Sequence, residues 1–147
     1  MMNISYLLVF LQFFSLVLLF LPFQTQSLSY GFELKWFFMS SALLLFIWTV
    51  LYNRLGNFNI VPEIKHGCEL ITEGPYSFIR HPMYAGVTLI AFAEIVSIFS
   101  LWKIPVLVLL IMVLFFKARR EEKLWCAKTP EYLEFQKKTK MFIPFIL

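Results

Sequence analysis

The chain has 147 residues, of which 60% are apolar, 19% aromatic and only 15% charged, and its mean hydropathy is +0.75. A soluble domain carries about a quarter charged and about half apolar residues, so this balance excludes disorder, a secreted disulfide scaffold and an ordinary soluble enzyme, and points to an integral membrane protein. The formal charge of +4 reports on membrane orientation here rather than on nucleic-acid binding.

A spanning helix needs about 20 apolar residues. Ile4 to Phe23 is the first such run, interrupted by Ser5, Gln12, Ser15 and Pro22. The polar Gln24-Thr25-Gln26-Ser27 stretch after it also suits a signal peptide, but the run has no basic leader and is long for one, so a retained helix is expected. Leu34 to Leu51 is the second span, ending at the aromatic and basic boundary Tyr52-Asn53-Arg54. A polar loop follows to Arg80. Pro82 to Phe99 and Lys103 to Phe116 are shorter apolar runs, separated by Ser100-Leu101-Trp102. They are expected to form a tight helical hairpin. The organisation is therefore all-α, with two transmembrane helices over residues 1–52 and a functional core over 53–147 made of a loop, a hairpin and C-terminal helices.

The tail from Lys117 to Lys140 mixes charges with Leu124, Trp125, Tyr132, Leu133 and Phe135. It reads as one or two amphipathic helices, the second starting at Thr129-Pro130. The apolar terminus from Met141 is expected to return to the bilayer surface. With four crossings, one side holds Arg54, Lys65, Arg80, Lys117, Arg119, Arg120, Lys123, Lys128, Lys137, Lys138 and Lys140, and the other only Lys35 and Lys103. The positive-inside rule then puts both termini in the cytoplasm. Cys68 and Cys126 lack metal-ligand spacing and only two His are present, so zinc is not expected. Both Cys read as reduced thiols.

Two segments can carry chemistry. In the first, Gly74-Pro75 makes a turn and Pro82 suits the first position of a helix, which would make His81 its cap. Arg80, His81 and the helix-start amides form an anion site at the membrane edge. A plain loop-to-helix junction, with Arg80 snorkelling to lipid phosphates, accounts for the same residues. The second segment, Lys117 to Leu124, reads alone as a salt-bridged, solvated helix. The hairpin brings it back beside Arg80-His81, so that Glu121 and Glu122 would face a cationic helix start across one pocket. Such a pocket suits a ligand with an anionic and a cationic end. Glu94, inside the third run, is either a functional intramembrane carboxylate or a partner for another helix.

The pattern Gly74-Pro75-Tyr76, then Arg80-His81-Pro82-x-Tyr84-x-Gly86, then Glu121-Glu122, Glu131-Tyr132 and Ile143-Pro144 resembles the isoprenylcysteine carboxyl methyltransferases, and in part the membrane phospholipid methyltransferases. The resemblance spans Leu70 to Pro144. It implies an S-adenosylmethionine site between the last hairpin and the C-terminal helices, and a lipidic or prenylated acceptor entering from the bilayer. By that likeness Leu70, Gly74, Pro75, Tyr76, His81, Pro82, Tyr84, Glu121 and Glu122 bind the cofactor, Arg80 and Glu121 are catalytic, and Lys117 orients the substrate. Aligned through Leu124 and Tyr132, Glu121 takes the second Glu position and Arg120 the first; aligned through the Glu pair, a one-residue deletion precedes Tyr132. Both registers stand. Lys128-Thr129 replaces the family's usual Phe-Gly, and Lys117 stands where Arg is usual.

A carboxylate acceptor is ionised at neutral pH and needs no general base, whereas a lipid amine would have to lose a proton to a Glu or to His81. No Gly-x-Gly occurs, which excludes a soluble dinucleotide-type methyltransferase. Sterol-type reductases that use NADPH share the Arg-His-Pro segment but are expected to have Asn where Met83 stands and an acidic residue where Val87 stands. A non-catalytic membrane scaffold is the remaining alternative.

Overall fold

The computed structural model describes residues 3–21, 32–53, 57, 59–64 and 67–144. Pro22 and Phe23, the polar stretch 24–27, Arg54, Lys65 and the apolar residues 145–147 lie outside them. Among the described residues there are five α-helices: α1 (Ile4–Phe20), α2 (Phe32–Tyr52), α3 (Pro82–Ser97), α4 (Lys103–Lys128) and α5 (Glu131–Lys138), with a short 3-10 turn at Gly74–Ser77.

Helix α1 starts at Asn3, whose side chain accepts the Ser5 N–H at 3.1 Å. Ser5, Leu8, Gln12, Ser15 and Leu19 are buried and recur every three or four residues, which places them on one face. Phe10, Phe13, Val17 and Phe20 stand exposed on the other faces. Polar groups inside and aromatics outside reverse the pattern of a soluble amphipathic helix and match one surrounded by lipid. Ser15 Oγ satisfies itself by donating to the Leu11 carbonyl at 2.7 Å.

Within α2, Glu33–Tyr52 is the one stretch among the described residues long and apolar enough to cross a membrane, and only 11% of its most apolar window is buried in the protein. A core helix of a soluble protein would be mostly enclosed. Helices α1 and α3, with 17 and 16 residues, reach about 25 Å at a rise of 1.5 Å per residue.

The connection between α3 and α4 is short, yet the two helices make little direct contact. Helix α3 lies along α2, and α4 along α1. The tight hairpin expected from the sequence is corrected in this respect, for two steric reasons. Leu19 of α1 packs in one cluster with Ala91 and Ile95 of α3 and Leu110 and Leu114 of α4, so the contact between the two helices is shared with α1. Gly86 leaves a notch on α3 for the ring of Phe46 from α2, whose Cζ would stand 2.8 Å from a Cβ there. At the turn, buried Lys103 Nζ donates to Glu94 Oε1 at 2.8 Å, which gives Glu94 its partner.

Helix α4 runs unbroken for 26 residues, about 39 Å. The fourth apolar run and the first part of the expected tail are therefore one rod. It ends at Thr129, and α5 begins after Pro130 with Tyr132 and Phe135 buried, Glu131 and Glu134 in its first turn and Lys137 and Lys138 in its last. Those charges complement the helix dipole. The chain then returns to the α3 entrance: Lys140 N–H donates to the Phe78 carbonyl at 3.1 Å, and the Arg80 and His81 amides donate to the carbonyls of Lys140 and Met141 at 2.8 and 3.1 Å. This forms an isolated parallel bridge between Ile79 and Lys140.

Gly74 has φ +60°, and a Cβ there would collide with the ring of Tyr52 at the end of α2. Gly67, at φ +80°, has nothing near its Cβ position. Gly74→Ala should therefore destabilise the protein by about 2–3 kcal/mol, through backbone strain plus overpacking, and Gly67→Ala by about 1 kcal/mol from backbone strain alone. Thermal unfolding of both variants in detergent checks the order.

Candidate active site

Three pieces of chain converge where α3 starts: the Arg80-His81-Pro82 entrance, the Glu121-Glu122 exit of α4, and α5 with its return segment. Pro82 occupies the first helical position, as expected, but the His81 side chain makes no capping hydrogen bond. It points instead at the two carboxylates, with Nδ1 3.5 Å from Glu121 Oε2 and Nε2 3.3 Å from Glu122 Oε1. Its ring also stacks on Tyr84, centroids 5.4 Å apart and planes within 6°.

The helix-start anion site is largely consumed. Pro82 has no N–H, and the amides of Tyr84 and Ala85 both bond the His81 carbonyl, which leaves Met83 alone among the first four. Arg80 is likewise committed. Its Nε donates to Glu122 Oε1 at 2.6 Å, and Nη1 donates to the carbonyls of Gln136 and Thr139 at 3.2 and 2.5 Å, at the C-terminal end of α5.

The two Glu occupy different environments because successive helical residues point about 100° apart. Glu122 is enclosed, 4% exposed, by Arg80, His81 and the Gln136 amide, which donates to its Oε2 at 3.1 Å. Glu121 is 21% exposed, accepts the Tyr84 hydroxyl and lines an open cleft of about 160 Å³. That volume falls below the roughly 300–1,000 Å³ of drug-sized ligand sites, so the cleft has room for only part of a ligand of that size.

Of the residues singled out from sequence, Leu70, Tyr76, Arg80, His81, Pro82, Tyr84 and Glu121 line this cleft, and Gly74, Pro75, Glu122 and Lys117 do not. Gly74 serves the packing of Tyr52, and Pro75 faces a separate apolar cavity. Lys117 is buried behind Tyr84, its Nζ donating to Gln12 Oε1 at 2.5 Å and to the Ile60 carbonyl at 3.0 Å. Sequence reasoning missed Asn53, Asn57, Glu69, Trp125, Tyr132 and Phe135, which with Asn59, Ile71 and Met83 complete the lining. Trp125 was findable, since it stands four residues after Glu121 on the same face of α4. Its ring stacks on Tyr132 at 6.1 Å. The loop asparagines carry no spacing that marks them. Among the described residues no cluster of three or more His, Cys, Asp or Glu stands ready for a metal ion.

The electrostatics follow from burial against charge. Burial alone would lower the His81 pKa, but its hydrogen bonds to Glu121 and Glu122 and their charges outweigh that and raise it above 6.5. Burial would raise Glu122, yet His81 and Arg80 hold it below 4.5. Tyr76 is pushed up to about 12 by burial and by the charge of Glu121, so its phenol stays protonated. Tyr132 is raised likewise, by burial first and then by Glu122.

This is a helical, lipid-facing chain with a charged cleft built at its helix ends. Residues 34–125 match the model of the isoprenylcysteine carboxyl methyltransferase family, and the chain belongs to that family. Membership implies membrane methyltransferase activity. The match differs in extent from the resemblance read over Leu70 to Pro144: it takes in α2, whose Phe46 and Tyr52 shape the α3 entrance, and stops before α5. No curated protein and no solved structure matches the chain.

Two outcomes follow. His81, with a raised folded pKa, contributes stability that is complete below about pH 6.5 and lost as pH rises through its folded value. Glu122, with a lowered one, contributes stability present above about pH 4.5 and lost as pH falls through its folded value. His81→Gln should flatten only the alkaline limb of a plot of melting temperature against pH. Separately, Arg80→Met leaves Glu122 charged and enclosed and should cost about 3–5 kcal/mol. Adding Glu122→Gln should recover much of that loss in the same unfolding measurement.

Proposed function

We propose that the chain is a four-span, S-adenosylmethionine-dependent methyltransferase that esterifies the carboxylate of an isoprenylcysteine-like or other lipidic acceptor, with its cleft and both termini on the cytoplasmic side. One observation carries this reading: the two faces of the start of α3 serve two compartments of opposite character. On one face is the polar cleft of Glu121, Tyr84 and Tyr76. On the other lies an apolar cavity of about 690 Å³ lined by Trp48, Phe78, Leu89, Phe92, Ile111 and Phe142, among others. The rings of His81, in the first, and Phe142, in the second, are 5.9 Å apart. Trp48, Phe78 and Ile111 are substantially exposed, so the cavity opens on a surface suited to lipid.

The residues of the cleft fit the cofactor by chemistry. Glu121 offers a part-exposed carboxylate to a cation, Trp125 and Phe135 offer faces to an adenine ring, and Asn53 and Tyr76 offer partners to hydroxyls. Bound S-adenosylmethionine supplies an electrophilic methyl group. The protein's part is alignment and exclusion of water. Tyr84 and His81 hold the Glu121 carboxylate in place, and the apolar cavity fixes the acceptor's hydrocarbon while its ionised carboxylate meets the polar side. No proton has to be removed from such an acceptor. Arg80, which lines the cleft while gripping Glu122, supplies positive charge on that side.

Support for four spans comes from the inward polar stripe and outward aromatics of α1, and from Asn3, whose Nδ2 donates to Glu63 Oε1 in the loop at 3.2 Å. That contact puts the start of α1 at the end of the bundle where the loop and the cleft lie.

Calorimetry with S-adenosylhomocysteine on the detergent-purified protein, with NADPH as the parallel ligand, tests the reading. Micromolar binding of the first alone is expected. Glu121→Gln and His81→Ala should each weaken it about tenfold or more, the weight of a charge-assisted contact, while membrane insertion stays intact. Binding of NADPH in its place, or of neither, overturns the proposal.

A further inference from the structure

Residues four apart on a helix are neighbours, and a Lys four before a Glu ordinarily pairs with it. Lys117 and Glu121 have that spacing and share the same end of α4, yet they form no ion pair. The Lys117 ammonium bonds instead to Gln12 Oε1 at 2.5 Å and the Ile60 carbonyl at 3.0 Å, and lies 5.2 Å from the Tyr84 ring centroid. Glu121 is left to Tyr84 and His81 and to the open cleft.

Gln12 is the residue that makes this possible. It is 8% exposed, in the middle of a helix whose other buried polar side chains are the small hydroxyls of Ser5 and Ser15. A buried amide in such a setting is costly unless its partner is specific. That partner is a cation 105 positions along the chain. Helix α1 also lies outside the family match over residues 34–125, so nothing in the matched region supplies this contact. Within that region Lys117 keeps only the Ile60 carbonyl as a hydrogen-bond acceptor, which is neutral and does not compete in charge with Glu121.

We infer that Gln12 is a positioning residue for the active site: it parks Lys117 away from Glu121, so that the carboxylate remains open to the cation of the incoming cofactor. The inference rests on the methyltransferase reading above and deepens it, by making α1 part of the site. Without the Gln12 acceptor, the Lys117 ammonium turns to its i+4 neighbour, and the cleft loses the carboxylate that Tyr84 and His81 hold in place.

The test is S-adenosylhomocysteine affinity by calorimetry on three variants whose helicity and melting are checked first. Gln12→Leu should raise the Kd about tenfold, in keeping with loss of one charge-assisted contact. Gln12→Leu with Lys117→Met removes the competing cation and should bring the Kd back to within about twofold of wild type. A merely structural role for Gln12 predicts the opposite, since the double variant would then be no better than the single. Gln12→Glu keeps an acceptor for Lys117 and should bind within about twofold of wild type; it decides the matter if Gln12→Leu does not fold. Unchanged affinity in Gln12→Leu, no recovery in the double variant, or a tenfold loss in Gln12→Glu each overturns the inference. Absence of binding by the wild-type protein overturns the methyltransferase reading instead.

Discussion

The structure turns on an imidazole held between two carboxylates. His81 stands just before α3, at its N-cap, and Glu121 and Glu122 sit near the end of α4, so their contacts set how those helix ends meet. Neither Glu could be enclosed beside the other without compensation, because two like charges close together repel strongly in a low dielectric. His81 serves both, and Arg80 completes the balance at Glu122. Since Arg80 also grips the carbonyls at the end of α5, the same cluster recruits the C-terminal helix, and the backbone bridge from Ile79 to Lys140 secures it. The apolar surfaces bring the helices into lipid-facing contact; the charges fix their relative height.

The division of labour between the two carboxylates follows from this cluster. Glu122 is spent on holding the architecture together, and Glu121 keeps a face towards the cleft. The methyltransferase reading assigns ligand contact to the second for that reason. It also explains how a chain with so few polar residues builds a charged site, since Arg80, His81 and Glu122 enclose one another while Glu121 retains an exposed side.

Much of the site was legible in the chain itself. Arg80, His81, Tyr84 and Glu121 lie in short patterns whose local geometry is dictated by Pro82 and by helical spacing, and these patterns carry the resemblance. The choice between Glu121 and Glu122 was not legible. It depends on how α4 is rolled about its axis, which is set by its packing on α1 rather than by anything in the segment. His81 does stand at the N-cap as expected, but its side chain makes no capping bond, because two carboxylates arriving from another helix engage the ring instead. The pairing of α3 with α2 rather than α4 was hidden because Gly86 marks a notch without naming Phe46 as the ring that fills it. Lys117 was read from its neighbours on α4, whereas its partner stands on the first helix.

The turn between α3 and α4 carries one more consequence. Glu94 and Lys103 flank it as a single buried pair at 2.8 Å, with no net charge between them. On the four-span reading this turn faces the side opposite the cleft, so it must be carried across the bilayer during assembly. A lone lysine there would count against the positive-inside rule and would feel the membrane voltage, worth about 2.3 kcal/mol per charge at 100 mV. A neutral pair feels neither. Once formed, the ion pair makes the loop electrically silent, and the direction of insertion is left to the basic residues at the other end.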